Sequence, residues 1–330
     1  MIYRFISMIG LGIILLSNSV YAQRVMNVDA VKDYPNRPIR MILPNAPGSS
    51  NDVLGRIFAT KLGEVIGQQV IVENHAGAAG LIGMEMAKTA QADGYTIIST
   101  SPASMTILPN IRKKLNYDPL GDYQFVSLYA VLPNMLVVNP SLPIQTVQDL
   151  IKFCNANPEK VYVASAGPGS QSHLASLLMQ VSANFSSIHV PYKGGGASVL
   201  AVMTGEAQWT ITPASSVMGH IRNGKLRAVA HSLSQRSQLM GDIPTVGETI
   251  PGFSYSAWNG IVMPKGVPIA IVDKFRVSMI KTLNMTEVKD LLGKQGAETF
   301  TNTPEQFRTL VQTELESTAK VVKVSNLTID

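Results

Sequence analysis

The chain has 330 residues, a single cysteine and a formal net charge of +5 at pH 7. Its length is enough for two domains with substantial cores, and one cysteine excludes a framework of internal disulfides. The Lys and Arg residues are scattered along the chain, which argues against nucleic acid as a partner, whereas a mild positive field suits small anionic ligands.

Residues 1–22 have the pattern of a cleavable secretory signal peptide. Arg4 supplies the positive charge, residues 5–16 are almost wholly apolar, and Val20-Tyr21-Ala22 is a cleavage site of the small-x-small type. The apolar run is too short for a membrane-spanning helix, and no cysteine for lipid attachment lies near it. We therefore expect a soluble, exported chain that begins near Gln23.

The stretch from Ile39 to Val53 predicts a buried strand, a loop of small residues and the start of a helix. Ser50, Asn51 and Asp52 are residue types that favour a helix N-terminus. The apolar residues that follow at helical spacing are Val53, Leu54, Ile57, Phe58, Leu62, Val65 and Ile66.

The first N–H groups of a helix have no partner within the helix, so a carboxylate or phosphate can bind there. Two interpretations of this loop remain open. Ser50 or Asn51 caps an ordinary helix, or the loop holds an anion. Asp52 likewise either stabilises the helix N-terminus or accepts a hydrogen bond from a ligand.

Further strands and helices alternate along the chain, which predicts parallel sheets covered on both faces, with ligands at the carboxyl ends of the strands. Residues 125–139, interrupted at Pro133-Asn134, and residues 253–263 are predicted to cross between two lobes. The predicted strands between and around them are 69–73, 95–100, 161–165, 187–190, 208–212 and 226–231.

From Pro268 onward the pattern is helical. One helix is predicted to bury a stripe of four residues, and Pro304 after Thr303 is predicted to open another. The first stripe is Ile271, Phe275, Val277 and Ile280, and the second is Phe307, Leu310, Val311 and Leu315. Cys154 falls on the apolar face of a predicted helix after Thr146, which indicates a buried structural thiol.

The predicted loops are rich in Ser, Asn, Gly and Pro and poor in catalytic side chains. There is no G-x-S-x-G nucleophile elbow, and Ser170 with His173 is the closest imitation of a hydrolase pair. The five histidines have no spacing typical of zinc ligands, and no P-loop is present. The sequence therefore predicts a binding protein, with no cofactor and no metal.

Many short motifs spread over the whole mature chain resemble those of the Bug family. This is a family of periplasmic solute receptors, related to the binding component of tripartite tricarboxylate transporters. The motifs are Tyr34-Pro35-Asn36-Arg37-Pro38-Ile39-Arg40, Pro47-Gly48 with Asp52-Val53, Val72-Glu73-Asn74 with Gly77, Ala92-Asp93-Gly94-Tyr95-Thr96, Leu136-Val137-Val138-Asn139-Pro140, His189-Val190-Pro191-Tyr192-Lys193-Gly194, His220-Ile221-Arg222 with Gly224-Lys225-Leu226-Arg227-Ala228, and Asp242-Ile243-Pro244-Thr245-Val246.

The resemblance implies an α/β, two-lobed periplasmic-binding-protein fold of type II character, with two doubly wound sheets joined by two crossover strands. Lobe 1 is expected at residues 23–125, lobe 2 at 126–256, and a return to lobe 1 at 257–330. Carried over by position, the ligand-facing residues are expected to be Asn45, Ala46, Ser49, Ser50, Asn51, Asp52, Ala78, Ser101, Ser165, Ala166, Gly167, Ser170, Gln171 and Thr212.

Three positions depart from the pattern of the family. Gly48-Ser49 replaces Gly-Gly, His75-Ala76 replaces Arg-Pro, and Thr212-Pro213 replaces Asp-Asn. Because Thr212 lacks the carboxylate that the family often has at this position, the site is expected to favour a ligand with more negative charge or fewer hydrogen-bond donors.

The resemblance implies a monomeric periplasmic receptor that closes on a small organic carboxylate. Backbone amides would hold the ligand, and the receptor would present it to a membrane permease. Two other interpretations remain open, which are a receptor that feeds a sensor protein in a signalling system, and a secreted serine hydrolase. The sequence names neither the ligand nor the partner.

Overall fold

The computed structural model describes residues 31–325, so the predicted signal peptide lies outside the described residues. The first elements are β1 (Ile39–Leu43), α1 (Ser50–Ile66), β2 (Val70–Asn74), α2 (Leu81–Lys88), β3 (Thr96–Thr100), a π-helical turn (Ala103–Ile107), α3 (Leu108–Ile111) and β4 (Tyr123–Val138). The next are α4 (Val147–Ala156), β5 (Tyr162–Ser165), α5 (Gln171–Ala183), β6 (Ile188–Pro191), α6 (Gly195–Thr204), β7 (Trp209–Pro213), α7 (Met218–Arg222) and β8 (Arg227–His231). The last are β9 (Ser256–Pro264), α8 (Ile269–Asn284), α9 (Thr286–Gly293), β10 (Glu298–Thr299) and α10 (Pro304–Ser325).

The strands lie in the order β2-β1-β3-β9-β4-β7-β5-β6, with β8 and β10 also paired to β4. The strands β2, β1 and β3 are parallel, as are β7, β5 and β6, whereas β4 and β9 run antiparallel to their neighbours. We call the elements around β2-β1-β3 the first lobe and those around β7-β5-β6 the second lobe. The predicted α/β fold of two lobes joined by two crossover strands is confirmed.

The crossover strand β4 continues through Pro133-Asn134, so the predicted interruption there is wrong. Its pairing with β9 ends at Pro133 opposite Ser256, and its pairing with β7 begins at Asn134 opposite Pro213. A proline has no N–H group for a sheet ladder, and this one falls where the strand changes neighbours. The Asn134 N–H group donates to Ser232 Oγ at 2.8 Å.

The helix α8 buries a stripe that differs from the prediction at two positions, since Val277 is exposed and Ile280 is only partly buried. Ile271, Phe275, Met279 and Leu283 are buried at a spacing of four residues, whereas Val277 is 66% exposed. Val277 lies two residues after Phe275, which places it on the opposite side of the helix from the core. An apolar residue type alone therefore does not indicate a buried position. Cys154 is buried and free, in agreement with a structural thiol.

The C-terminal helix α10 packs on β4 and β9 through aromatic contacts. Phe307 is fully buried and meets the rings of Phe125 and Trp258 edge to face, with centroids 5.1 Å and 5.3 Å away. Thr303 and Gln306 form reciprocal side-chain bonds to each other's backbone N–H groups, which caps the helix. These contacts hold the last helix of the chain against the first lobe.

Glu314 is a half-buried acid on the inner side of α10. Both of its carboxylate oxygens accept from Trp258 Nε1, at 2.9 Å and 3.0 Å, and no basic side chain pairs with it within residues 31–325. Burial raises the pKa of Glu314 from 4.5 to about 7, against the weaker opposing effect of the hydrogen bonds from Trp258 and Thr106. The folded protein therefore binds this proton more tightly than the unfolded chain does.

Glu314→Gln is expected to stabilise the protein above pH 7 and to have little effect at pH 4. Ionisation of Glu314 costs stability as the pH rises from 4.5 through about 7, and the glutamine keeps an acceptor for the indole without the charge. The full effect is on the order of 3 kcal/mol. Urea unfolding of wild type and variant from pH 4 to pH 8 measures it, with Glu316→Gln on the exposed side of the same helix as the control. If the free energy of unfolding depended on pH in the same way in wild type and in Glu314→Gln, the raised pKa of Glu314 would be contradicted.

Candidate functional site

Two adjoining cavities lie between the lobes, at the carboxyl ends of β1 and β5. The outer cavity has a volume of about 560 Å³ and the inner cavity about 70 Å³. Both are lined by loop residues of the two lobes, and the residues that they share are Asn45, Ser49, Ala103, Ala166, Ser170 and Gly195. The two cavities therefore form one cleft with a narrow inner end.

Helix α1 begins at the inner end of this cleft. Its N-cap is Ser49, whose side chain accepts from the Asp52 N–H group at 3.3 Å, so the cap is one residue earlier than Ser50. The N–H groups of Ser50 and Asn51 have no protein acceptor among the described residues. They form the positive end of the helix dipole and remain available to a ligand.

Helix α5 repeats this arrangement from the second lobe. Ser170 is its N-cap and accepts from the His173 N–H group at 3.2 Å. The N–H groups of Gln171 and Ser172 have no protein acceptor in the part of the chain that is described. Two helix N-termini, one from each lobe, thus face the same inner cavity.

The amides of the loop before α5 already have acceptors, in the loop itself and in the first turn of α5. The Ala166 N–H group donates to Ser172 Oγ at 2.9 Å, and the Gly167 N–H group donates to Ser165 Oγ at 3.2 Å. The Gly169 N–H group donates to His173 Nδ1 at 3.2 Å. These bonds fix the shape of the loop. The N–H groups of Gln171 and Ser172, in the first turn of α5, are left free to donate to a ligand.

Two stacked histidines, His173 and His189, hold the same loop through hydrogen bonds. The rings of His173 and His189 are 3.9 Å apart and nearly parallel, and His189 Nε2 lies 2.6 Å from Ser165 Oγ. Burial, together with the neighbouring His189, lowers the pKa of His173 to about 4, and burial lowers the pKa of His189. Both rings are therefore neutral at pH 7, and His173 Nδ1 can accept from the loop.

Asn51 is the most extensively bonded side chain of the first-lobe site. Its Nδ2 group donates to Asn45 Oδ1 and to the Ser99 carbonyl, both at 2.8 Å. Its Oδ1 atom accepts from Asn259 Nδ2 at 2.8 Å, and from the hydroxyls of Ser99 and Tyr129. The residue is 3% exposed. It ties the start of α1 to β3 and to both crossover strands.

Asp52 lies outside both cavities. Its carboxylate accepts from the Gly48 N–H group and from Asn74 Nδ2, each at 2.9 Å, and pairs with Arg56 at 2.8 Å. Asn74 Nδ2 also donates to the Asn45 carbonyl at 3.0 Å. Asp52 therefore holds the loop before α1 in shape.

The lobes touch each other beside the inner cavity. Ser215 Oγ, in the turn after β7, donates to Ser50 Oγ at 2.5 Å. Gly194 faces Ala46 so closely that an added Cβ atom at Gly194 would lie 2.7 Å from Ala46 Cβ. The described conformation is thus a closed one.

Most of the sequence-predicted site residues line the cleft, and Asp52 and Ser165 do not. Those in the wall are Asn45, Ala46, Ser49, Ser50, Asn51, Ala78, Ser101, Ala166, Gly167, Ser170, Gln171 and Thr212. Sequence reasoning missed several wall residues, among them Arg112, Lys193, Leu108, Trp258 and Asn259. Their spacing in the chain contains no signal for a shared cavity, because they come from three distant parts of the chain, which are α3 with its C-cap, the loop between β6 and α6, and β9.

No cluster of His, Cys, Asp and Glu that could hold a metal ion is found among residues 31–325. In the same part of the chain, no helix is both long and apolar enough to cross a membrane.

The fold and the cleft between its lobes define a solute-binding protein of the periplasmic type. The chain belongs to the family described as "Tripartite tricarboxylate transporter family receptor", whose profile matches residues 54–327. The Bug-family resemblance of the sequence is thereby confirmed, and with it the prediction of a receptor in place of an enzyme.

Three similar proteins illustrate the relationship. Protein BugT of Bordetella pertussis is 36% identical over 292 residues, which cover 88% of this chain and 90% of BugT. Rpa4515 of R. palustris, solved with adipate, superposes with a TM-score of 0.87 at 27% identity, covering 90% of this chain and 99% of that one. MatC from Rhodopseudomonas palustris, solved with bound malate, gives a TM-score of 0.82 at 27% identity and covers 88% of this chain and 100% of that one.

Asn51→Ala is expected to destabilise the protein by about 3 kcal/mol, since it leaves the Asn45, Ser99 and Asn259 groups buried without their partner. Thermal and urea unfolding of the ligand-free protein measure the loss. Asn223→Ala, at an exposed position outside the cleft, is the control and should change stability by less than about 0.5 kcal/mol. Equal effects of the two substitutions would contradict the role of Asn51.

Proposed function

We propose that this protein is a periplasmic receptor that captures one small organic carboxylate in the cleft and delivers it to a membrane permease. The observation that carries the proposal is the convergence of two helix N-termini on one inner cavity whose wall contains no acidic residue. Rpa4515 and MatC were solved with adipate and malate, which are small carboxylates, and this supports the same ligand class here.

The free N–H groups of Ser50, Asn51, Gln171 and Ser172 would bind the ligand carboxylate. A carboxylate that accepts several fixed N–H groups forms charge-assisted hydrogen bonds, which are stronger than bonds between neutral groups. These donors are already oriented by the helices, so little entropy is lost on binding. Side chains contribute little to such a site, which explains why motifs in the sequence do not identify the ligand.

The binding residues are proposed to be the set expected from the sequence, with two of them acting indirectly. Asp52 and Ser165 would shape the loops through their hydrogen bonds to Gly48 and Gly167. The direct contacts would come from Asn45, Ala46, Ser49, Ser50, Asn51, Ala78, Ser101, Ala166, Gly167, Ser170, Gln171 and Thr212.

Capture would proceed by closure of the lobes about the two crossover strands. Of the described residues, we assign 31–125 and 257–325 to the first lobe and 126–256 to the second, so that the crossover strands β4 and β9 span the two boundaries. A ligand that bridges both helix N-termini binds the closed state better than the open one and so shifts the population toward it. The closed monomer is then the form presented to the permease.

Ser50→Pro is expected to weaken carboxylate binding about tenfold relative to Ser50→Ala. Proline fits the first position of a helix, and Ser49 before it is extended (ψ 162°), so Ser50→Pro removes the N–H group without breaking α1. Ser50→Ala loses the same hydroxyl, including its bond to Ser215, but keeps the N–H group.

The measurement is isothermal titration of both variants with a ligand found by thermal-shift screening of wild type against mono-, di- and tricarboxylates. Equal affinities of Ser50→Pro and Ser50→Ala would show that the backbone donor is not used. No thermal shift with any carboxylate would overturn the proposed ligand class.

Gly194→Ala is expected to lower ligand affinity at least about tenfold by preventing closure. Carbon atoms in contact need about 3.5–4.0 Å, and the new Cβ would lie 2.7 Å from Ala46 Cβ only in the closed state. Gly224→Ala is the control for a methyl group added to a positive-φ glycine away from the cleft, since Gly224 has a φ of 68° and nothing lies within 4 Å of the position that an added Cβ would take. Comparable affinity losses in both variants would show that backbone strain, and not closure, is responsible.

A further inference from the structure

Helix α5 of the second lobe has one apolar side chain that is buried in the core of the first lobe. Leu174 is 2% exposed and lies in one buried cluster with Ile98, Trp258 and Phe307, which all belong to the first lobe. We call this group the first-lobe cluster. Among the described residues of the second-lobe helices, Leu174 alone is a member of it.

The neighbouring apolar residues of α5 pack into the core of their own lobe. Ala175 and Met179 are buried in a separate cluster that contains Trp209 of β7, and we call this the second-lobe cluster. Leu178 is partly buried and packs against the same second-lobe cluster. Leu174 is not a member of that cluster, so its burial depends on the first lobe.

The first-lobe side of this contact is held together by the C-terminal helix α10, which lies against α5. Phe307 of α10 meets the ring of Trp258 edge to face, with centroids 5.3 Å apart, and both carboxylate oxygens of Glu314 accept from Trp258 Nε1. These contacts lie within the first lobe and do not require α5. Gln171 Nε2 donates to the Ser256 carbonyl at 3.1 Å, which adds a hydrogen bond between α5 and β9.

The burial of Leu174 is linked to the position of the helix start in the cleft. Leu174 lies one turn after the N-cap of α5, and its N–H group donates to the Ser170 carbonyl at 3.0 Å. Gln171 and Ser172 of the same turn line the inner cavity, and so does Trp258. A movement of α5 away from the first lobe would therefore expose Leu174 and also withdraw the second helix start from the cavity.

We propose that Leu174 is a latch between the lobes, which populates the closed state before any ligand binds. Opening of the cleft would withdraw Leu174 from the first-lobe cluster and expose apolar surface on both sides, which is unfavourable in water. One side chain shifts the population without locking it, so a ligand can still enter the open state. The inference rests on the proposed function and deepens it, because a larger closed fraction raises the apparent affinity of a receptor that binds in that state.

The test is disulfide trapping of the closed state in the ligand-free protein. The Oγ atoms of Ser50 and Ser215, on opposite lobes, are 2.5 Å apart, and the sulfur atoms of a disulfide are about 2.0 Å apart. The double variant Ser50→Cys with Ser215→Cys therefore brings two thiols together only when the lobes are closed. Cys154 is buried and does not compete. The rate of disulfide formation in a glutathione redox buffer then measures the closed fraction.

Leu174→Ala, added to this double variant, is expected to lower the rate of disulfide formation about tenfold, because closure then buries less apolar surface. Leu178→Ala is the matched control, since it makes the same truncation one turn later against the second-lobe cluster, and it should leave the rate within about twofold. Leu174→Val is a smaller truncation that keeps the test decisive if Leu174→Ala does not fold, and it should lower the rate about threefold. Circular dichroism verifies that each variant is folded.

Three outcomes would overturn the latch. Equal rates with and without Leu174→Ala would show that this contact does not favour closure. Equal slowing by Leu174→Ala and Leu178→Ala would show that any truncation on α5 has the effect. No disulfide in the ligand-free double variant would show that the closed state is not populated before binding. None of these measurements involves a carboxylate, so the proposed function is tested separately by the thermal-shift screen.

Discussion

The first turn of an α-helix cannot satisfy its own N–H groups, and the architecture of this protein depends on that constraint. Serine caps at Ser49 and Ser170 satisfy only one donor each and leave the next two amides free. The fold places one such helix start in each lobe and aims both at a common cavity. Neither helix start alone encloses this cavity, so the cavity exists only when the lobes are together.

The surroundings of the two helix starts are rigid for different reasons. In the first lobe, Asn51 joins the helix to β3 and to both crossover strands through a fully bonded amide. In the second lobe, a neutral His173 accepts from the loop while stacked on His189. Both devices preorganise donors, which lowers the entropy cost of binding a small anion.

The contacts between the lobes are not confined to the helix starts. Ser215 bonds to Ser50 and Gly194 approaches Ala46 beside the cleft, and elsewhere Leu174 of α5 is buried in one cluster with Phe307 and Trp258. A ligand that adds contacts to the closed state alone shifts the population toward that state. The crossover strands β4 and β9, which pair with each other over most of their lengths, keep the lobes attached throughout.

The local elements and the class of protein follow from the amino-acid sequence alone. Apolar periodicity located the strands and helices, small polar residues marked the helix starts, and motifs spread over the chain identified the family. These features depend on neighbours in sequence, for which side-chain spacing and backbone propensity are sufficient. Other features depend on how distant parts of the chain pack together. Pro133 lies inside a continuous strand because that strand changes partners there, and Val277 is exposed because its helix turns it away from the core. Arg112 lines the outer cavity because a π-helical turn and a distant loop meet, and no pattern in the sequence encodes that meeting.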